Sequence, residues 1–280
     1  MDFVNGLSTT IFDIVLGPLE KIHPEVAIAV VSALFGVLGL VIFKYISAQN
    51  GIKTAKDKIK GHMIEIRIYQ DDLKVVGAAV CKVLFHNMKY LSLNLMPFIP
   101  LSVPFVLLLS QLVVRYAFEP LPVDKPFTMT VEVAADQKES VNDIVVMAPD
   151  WLAPEDLVIV RAPSEGRVFI SVRDAQPGIS DFAFKIGDSI VTKPVVIGAD
   201  TVAPRVMQPE KVAGFFDAWI WPAEAMIPAD SPITRIAIEG EYPGKSFAFL
   251  PDGILGILLG VILYSFIAGL AILKPLGVTI

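Results

Sequence analysis

The chain has 280 residues, 54% of them hydrophobic, with a mean hydropathy of +0.63, too apolar for an ordinary soluble domain. Its formal charge of −6 is split by region: Lys44 to Lys89 holds nine Lys/Arg against four acids, and Phe118 to Leu250 holds eleven against twenty. A lone Cys81 excludes an internal disulfide and is expected as a small buried helix residue.

In chain order, Phe3, Leu7, Ile11, Val15, Leu19 and Ile22 recur at helical spacing, which predicts an amphipathic helix lying on the outer membrane interface. Asp13 and Glu20 interrupt its apolar part and no basic n-region precedes it, so it does not read as a signal peptide. Pro24 then separates it from Val26–Phe43, the first of three stretches apolar enough to cross about 30 Å of hydrocarbon. Lys44 and Tyr45 stand where a basic head and a ring would anchor that span.

The segment Ile52–Ile68 predicts a helix with Ile52, Ala55, Ile59, Met63 and Ile66 on one stripe and Lys53, Lys56 and Lys60 on another. Asp71-Asp72 marks a stop and restart, with Asp71 the expected cap of a second helix carrying Leu73, Val76, Val80, Val83, Asn87 and Leu91. The result is a basic helical hairpin. A short basic connector flanked by spans belongs in the cytoplasm, which leaves the N-terminus outside and Lys274 inside.

The second apolar stretch, Tyr90–Val114, contains Pro97, Pro100 and Pro104, so its helix must bend or break where neighbours satisfy the freed carbonyls. Asn94, Ser102, Ser110 and Gln111 add polar atoms at membrane depth. Two readings stay open: hydrogen bonds between helices, or one wall of a hydrated groove.

From Pro120 to Pro251 the texture becomes strand-like, and fifteen of the 21 prolines lie there. Alternating runs at Phe127–Val133, Ile144–Met147, Leu157–Arg161, Arg167–Arg173, Asp181–Lys185, Ser189–Ile197 and Thr234–Glu239 predict an antiparallel β-sandwich of about seven strands. One helix is expected at Glu210–Trp219, and Trp151, Trp219 and Trp221 read as core or membrane anchors. The last stretch, Gly253–Leu273, carries Gly256-x-x-x-Gly260, a helix-packing pattern for the same chain or for a second copy.

The predicted fold class is therefore an integral membrane α-helical protein with three transmembrane helices, a cytoplasmic hairpin and an extracytoplasmic all-β sandwich-like domain. The segments are 1–24 interfacial helix, 25–46 first span, 47–89 hairpin, 90–117 second span, 118–250 β-domain, 251–274 third span and 275–280 cytoplasmic tail. No phosphate-binding loop, zinc motif, nucleophile elbow or Cys pair occurs, and His23, His62 and His86 are expected in separate places. No enzymatic activity, cofactor or metal site is expected.

This order of parts resembles the core of the YidC/Oxa/Alb superfamily of membrane insertases, especially its minimal three-span archaeal YidC-like members. The residues that carry it are Gly17-Pro-Leu-Glu-Lys-Ile-His23, Val41-Ile-Phe-Lys-Tyr45, Lys53–Lys60, Glu65-Ile-Arg-Ile-Tyr-Gln-Asp-Asp72, Asn87-Met-Lys-Tyr-Leu91 and Pro97-Phe-Ile-Pro100. The resemblance covers about residues 1–117 and 252–280; the inserted outer β-domain is foreign to the minimal members. It implies insertion of client transmembrane segments without nucleotide, through a groove whose basic residue is matched by position by Lys44. Groove walls are then expected from Lys44, Asn94, Ser102, Ser110 and Gln111, and client or lipid contacts from Lys53, Lys56, Lys60 and Arg67.

The expected partners are membrane lipids, client segments, an outer protein bound by the β-domain, and a homo- or hetero-oligomer; no nucleic acid is expected. The expected site is the inner (cytoplasmic) membrane. The rival reading is a non-catalytic envelope scaffold whose spans only anchor it and pack through Gly256 and Gly260. A transporter is disfavoured because no charged residue lies mid-membrane.

Overall fold

A computed structural model describes residues 2–20, 22–46, 48–123, 125–198, 206–239 and 242–275 of the chain. Its helices are α1 (Asp2–Glu20), α2 (Pro24–Ile46), α3 (Gln49–Ile68), α4 (Leu73–Leu95), α5 (Phe98–Tyr116), α6 (Asp217–Ile220) and α7 (Gly253–Leu273). Its strands are β1 (Phe127–Val133), β2 (Val145–Met147), β3 (Leu157–Ala162), β4 (Arg167–Val172), β5 (Gly178–Ile186), β6 (Ser189–Ile197), β7 (Glu210–Val212) and β8 (Ile233–Glu239). The chain divides into two compact units, Met1–Ile28 with Val106–Val261, and Ala29–Phe105 with Ile262–Ile280. The expected tail 275–280 lies almost wholly outside the described residues.

Helices α2, α5 and α7, of 23, 19 and 21 residues, are long and apolar enough to cross a membrane. The apolar run 90–114 is not one helix. Residues 90–95 complete α4, Met96 and Pro97 form a turn, and α5 starts at Phe98. Proline explains this: Met96 still donates to the Ser92 carbonyl at 3.1 Å, but Pro97 has no amide N–H with which to extend the ladder. Pro24 instead occupies the first position of α2, where a missing N–H costs nothing, and the backbone N–H of Glu25 donates to His23 Nδ1 at 3.3 Å.

In the first unit the β-domain consists of two antiparallel sheets. Five strands run in the order β3-β4-β1-β8-β7 and three in the order β2-β5-β6. Alternation explains the pairing faces: Val168, Ile170 and Val172 of β4, and Phe182 and Phe184 of β5, are buried on one side of their strands. Phe127 and Phe182, one from each sheet, meet edge-to-face with centroids 6.2 Å apart. The hairpin β5–β6 closes through Gly187-Asp188, with Ile186 opposite Ser189, and its tightness requires the positive φ of 56° at Gly187. The helix expected at Glu210–Trp219 is largely absent: Glu210–Val212 is strand β7, paired with β8, and only Asp217–Ile220 is helical. Three residues beside an existing edge gain ladder hydrogen bonds that outweigh their helical spacing.

The two connectors into this domain run side by side. Glu119 N–H donates to the Pro243 carbonyl at 2.8 Å, and Lys245 N–H to the Ala117 carbonyl at 2.9 Å. Helix α1 is bound through its polar face. Asn5 donates to the Ala218 carbonyl at 3.0 Å, Asp13 pairs with Arg115 at 2.7 Å, and Glu20 accepts from Tyr116 at 2.7 Å. Its apolar residues Leu7, Ile11 and Ile14 stay exposed. A β-carbon on Gly256 would meet the Pro251 carbonyl and the Phe247 ring just before α7, so glycine is required there.

In the second unit α3 and α4 form the hairpin. Ile52 and Ala55 of α3 and Ala79 of α4 are buried, while Met63, Leu73, Val80 and Leu91 are exposed. The contact stripe of α4 is therefore rotated from the expected one, and His86, Tyr90 and Leu93 take part: Leu93 meets Gly51, and Lys56 Nζ lies 5.4 Å from the Tyr90 ring centre. Asp72, not Asp71, caps α4, accepting from the backbone of Lys74 at 3.0 Å and Val75 at 3.2 Å. Cys81 is exposed on α4 rather than buried.

Candidate functional site

Close helix approach creates the main concavity of the second unit. A β-carbon on Gly36 of α2 would overlap the backbone carbonyl of Ser265 on α7, so glycine is required for the two backbones to touch. On the same face of α2, one turn on, Gly39 leaves space, with the Leu101 side chain 3.8 Å from where its β-carbon would lie. The space is a cleft of about 440 Å³ bounded by α2, α5 and α7. Phe35, Leu40 and Phe43 form one wall, Phe98 and Leu101 a second, and Phe266, Gly269 and Leu273 a third.

The cleft is almost wholly apolar. Asn94, in the last turn of α4, and Ser265 bring polar side chains to it. Ser265 Oγ donates to the Ile262 carbonyl at 3.1 Å, and Asn94 Nδ2 donates to the Tyr90 carbonyl at 2.7 Å. A carboxamide has two donor hydrogens and two acceptor lone pairs, so that single bond leaves Asn94 with a donor and its oxygen for a guest. The arrangement suits an apolar segment that carries a polar group.

Of the five expected groove residues, only Asn94 borders this cleft. Lys44 is exposed in the last turn of α2, one residue beyond Phe43. Ser102 is exposed and donates to the Ile99 carbonyl at 2.7 Å. Ser110 and Gln111 belong to the other unit and are buried there. Ser110 bonds the Leu107 carbonyl at 3.1 Å; Gln111 donates to Thr9 Oγ1 at 3.1 Å and accepts from Arg115 at 3.4 Å. Gln111 thus makes an interhelical bond to Thr9 of α1, whereas Ser110 bonds within its own helix. Helical phase is the reason: Asn94 precedes the Pro97 break, and the register of α5 after it turns Gln111 away from the Phe98–Leu101 wall.

On the hairpin, Lys53, Lys60 and Arg67 are exposed and Lys56 covers Tyr90. Contrary to the expected separation of histidines, His62 and His86 stack with centroids 5.5 Å apart. His62 Nδ1 lies 2.8 Å from Glu65, and this bond holds the Glu65 carboxyl below the usual range. Burial, with Lys58, His62 and Lys89 nearby, pushes His86 below an ordinary histidine. No group of three metal-binding side chains occurs among the described residues.

The β-domain holds a polar cluster that sequence reading passed over. Lys193 is fully buried on β6, bonded to Glu224 and, at 2.7 Å, to the Gln208 carbonyl. Burial pushes Lys193 down and Glu224 up, while their mutual attraction opposes both shifts. Strand parity carried the signal: Lys193 shares its face with Val191 and Val195. Comparison with family models, with curated proteins and with solved structures finds no match.

Proposed function

We propose that this chain is a nucleotide-independent membrane insertase or membrane chaperone of the YidC/Oxa type, whose receiving surface is the cleft between α2, α5 and α7. The observation that carries the reading is this apolar cleft with one under-used amide, Asn94, in a helix set able to cross a membrane. In lipid, the cleft attracts a guest helix by close packing rather than by a hydrophobic gain, and a side-chain hydrogen bond such as that of Asn94 adds about 0.6–2 kcal/mol. A client carrying one charge meets a barrier of about 2.5–3.5 kcal/mol at mid-membrane, so even one such contact lowers it appreciably.

In this reading the basic hairpin stands on the cytoplasmic side and meets clients or lipid through Lys53, Lys60 and Arg67. The β-domain stands outside. Positive-inside charge bias supports this orientation. Lys44 follows the cleft residue Phe43 and is not among the lining residues. The scaffold reading keeps one specific support, the use of Gln111 in a bond between α5 and α1.

The deciding experiment is site-specific photocrosslinking in proteoliposomes with single-span nascent clients. A photoreactive residue at Leu101, in the cleft wall, captures clients, and one at Ile267, outside the lining, does not. Equal capture at both positions overturns the reading in favour of the scaffold.

A further inference from the structure

A second concavity lies on the hairpin, between the first turns of α3 and the last turns of α4. It has a volume of about 220 Å³ and is lined by Asn50, Thr54 and Lys58 from α3 and by His86 and Lys89 from α4. All these side chains belong to one unit and to two directly packed helices. No carboxylate lines it.

From this geometry we infer that the hairpin carries a binding site for a phosphate group, the headgroup of an anionic phospholipid, between Lys58, His86 and Lys89. Two lysines, one from each helix, line one cavity whose lining holds no acid to neutralise them. His86 adds a Nδ1 that is buried and makes no hydrogen bond, an uncommon state for a buried polar atom unless a partner is supplied from outside. The Asn50 amide adds hydrogen-bonding capacity. Like-charge crowding from Lys58 and Lys89 is among the causes that depress His86, and a bound anion reverses that sign.

The position of the cavity selects a lipid headgroup. Helix α2 ends at Ile46, and the four further residues to Asn50 span at most about 14 Å even fully extended. From the other side, Lys89 precedes the start of α5 at Phe98 by nine residues, a rise of about 13 Å if helical throughout. Both walls of the cavity are therefore tied within headgroup reach of helices able to cross a membrane. The site depends on neither the cleft nor the insertase reading.

The test uses the full chain in a non-ionic detergent, which removes any charged surface. Short-chain phosphatidylglycerol, short-chain phosphatidylcholine and inorganic phosphate are titrated separately, following the side-chain resonances of the histidines in ¹⁵N-histidine-labelled protein. The expected result is saturable binding of phosphatidylglycerol, with His86 titrating at higher pH in the complex. The K58A/K89A variant binds roughly tenfold or more weakly, while K74A/K82A, with the same charge change on the same hairpin outside the cavity, stays within about twofold. Inorganic phosphate competes at higher concentration if the phosphate alone is read; saturation by inorganic phosphate as tight as by phosphatidylglycerol overturns the lipid assignment. Equal weakening in both lysine pairs, equal binding of phosphatidylcholine, or an unmoved His86 resonance overturns the site.

Discussion

Arg115, in the last turn of α5, holds its guanidinium 2.7 Å from the carboxylate of Asp13 on α1. The two differ sharply in surroundings: the arginine side chain is fully buried and that of Asp13 is 36% exposed. Further bonds from the guanidinium reach the Thr9 carbonyl at 3.2 Å and Gln111 at 3.4 Å. Helix α1 is thus fixed to a membrane-length helix by its polar side.

That asymmetry predicts an unequal pair of mutants. Asp13→Asn strands a buried cation and costs about 3–5 kcal/mol, whereas Arg115→Met leaves a carboxylate that water can reach and costs less. Thermal unfolding in detergent, with protease sensitivity of residues 2–20 as a local readout, checks the order. Equal losses would mean that the pair is not electrostatically coupled.

Gly36 and Gly39 separate packing from function. Gly36→Val drives a side chain into the Ser265 backbone and costs about 1–3 kcal/mol through overpacking. Gly39→Leu meets only ordinary contact at its β-carbon and extends into the cleft. The second variant is expected to keep its melting temperature and lose client capture, measured on the same proteoliposomes.

Within the β-domain, E224L leaves the Lys193 ammonium buried without its nearest counter-charge and costs about 3–5 kcal/mol. The K193M/E224L double variant costs less than E224L alone, because paired apolar groups need no counter-charge. Trp151, which donates to Ser180 at 2.9 Å, supplies a fluorescence signal for denaturant titrations. A double variant as unstable as E224L would assign the cost to packing instead of charge.

Acid is expected to loosen the hairpin. His86 has a lowered pKa in the folded state, so the unfolded chain binds its proton first, and stability falls as pH drops below the ordinary value near 6.5. Glu65, also held low, contributes stability above about pH 4.5 that disappears on further acidification through its folded value. His86→Gln removes the first phase and leaves the second, as read from amide exchange of α3 and α4 between pH 4 and 8. An unchanged upper phase would exclude His86 as its origin.

Much of this architecture was legible residue by residue. Apolar length marks α2 and α7, β1 and β6 have the expected limits, and the hairpin break falls at Asp71-Asp72. Short competing signals were harder to read. Glu210–Val212 has a helical pattern but sits beside β8, and the apolar face of α4 is displaced because histidine and tyrosine rings fill its contact with α3.

Local pattern alone determined helices α1 to α3 and α7, most strands and the segregation of charge, since hydrophobic periodicity and proline act over a few residues. Tertiary structure decided which polar side chains share a space. Asn94 came to border a cleft, while Gln111 was absorbed by Arg115 and Thr9. Helical phase and the distance between packed backbones set those partnerships, and both depend on residues far apart in the chain, such as Gly36 and Ser265.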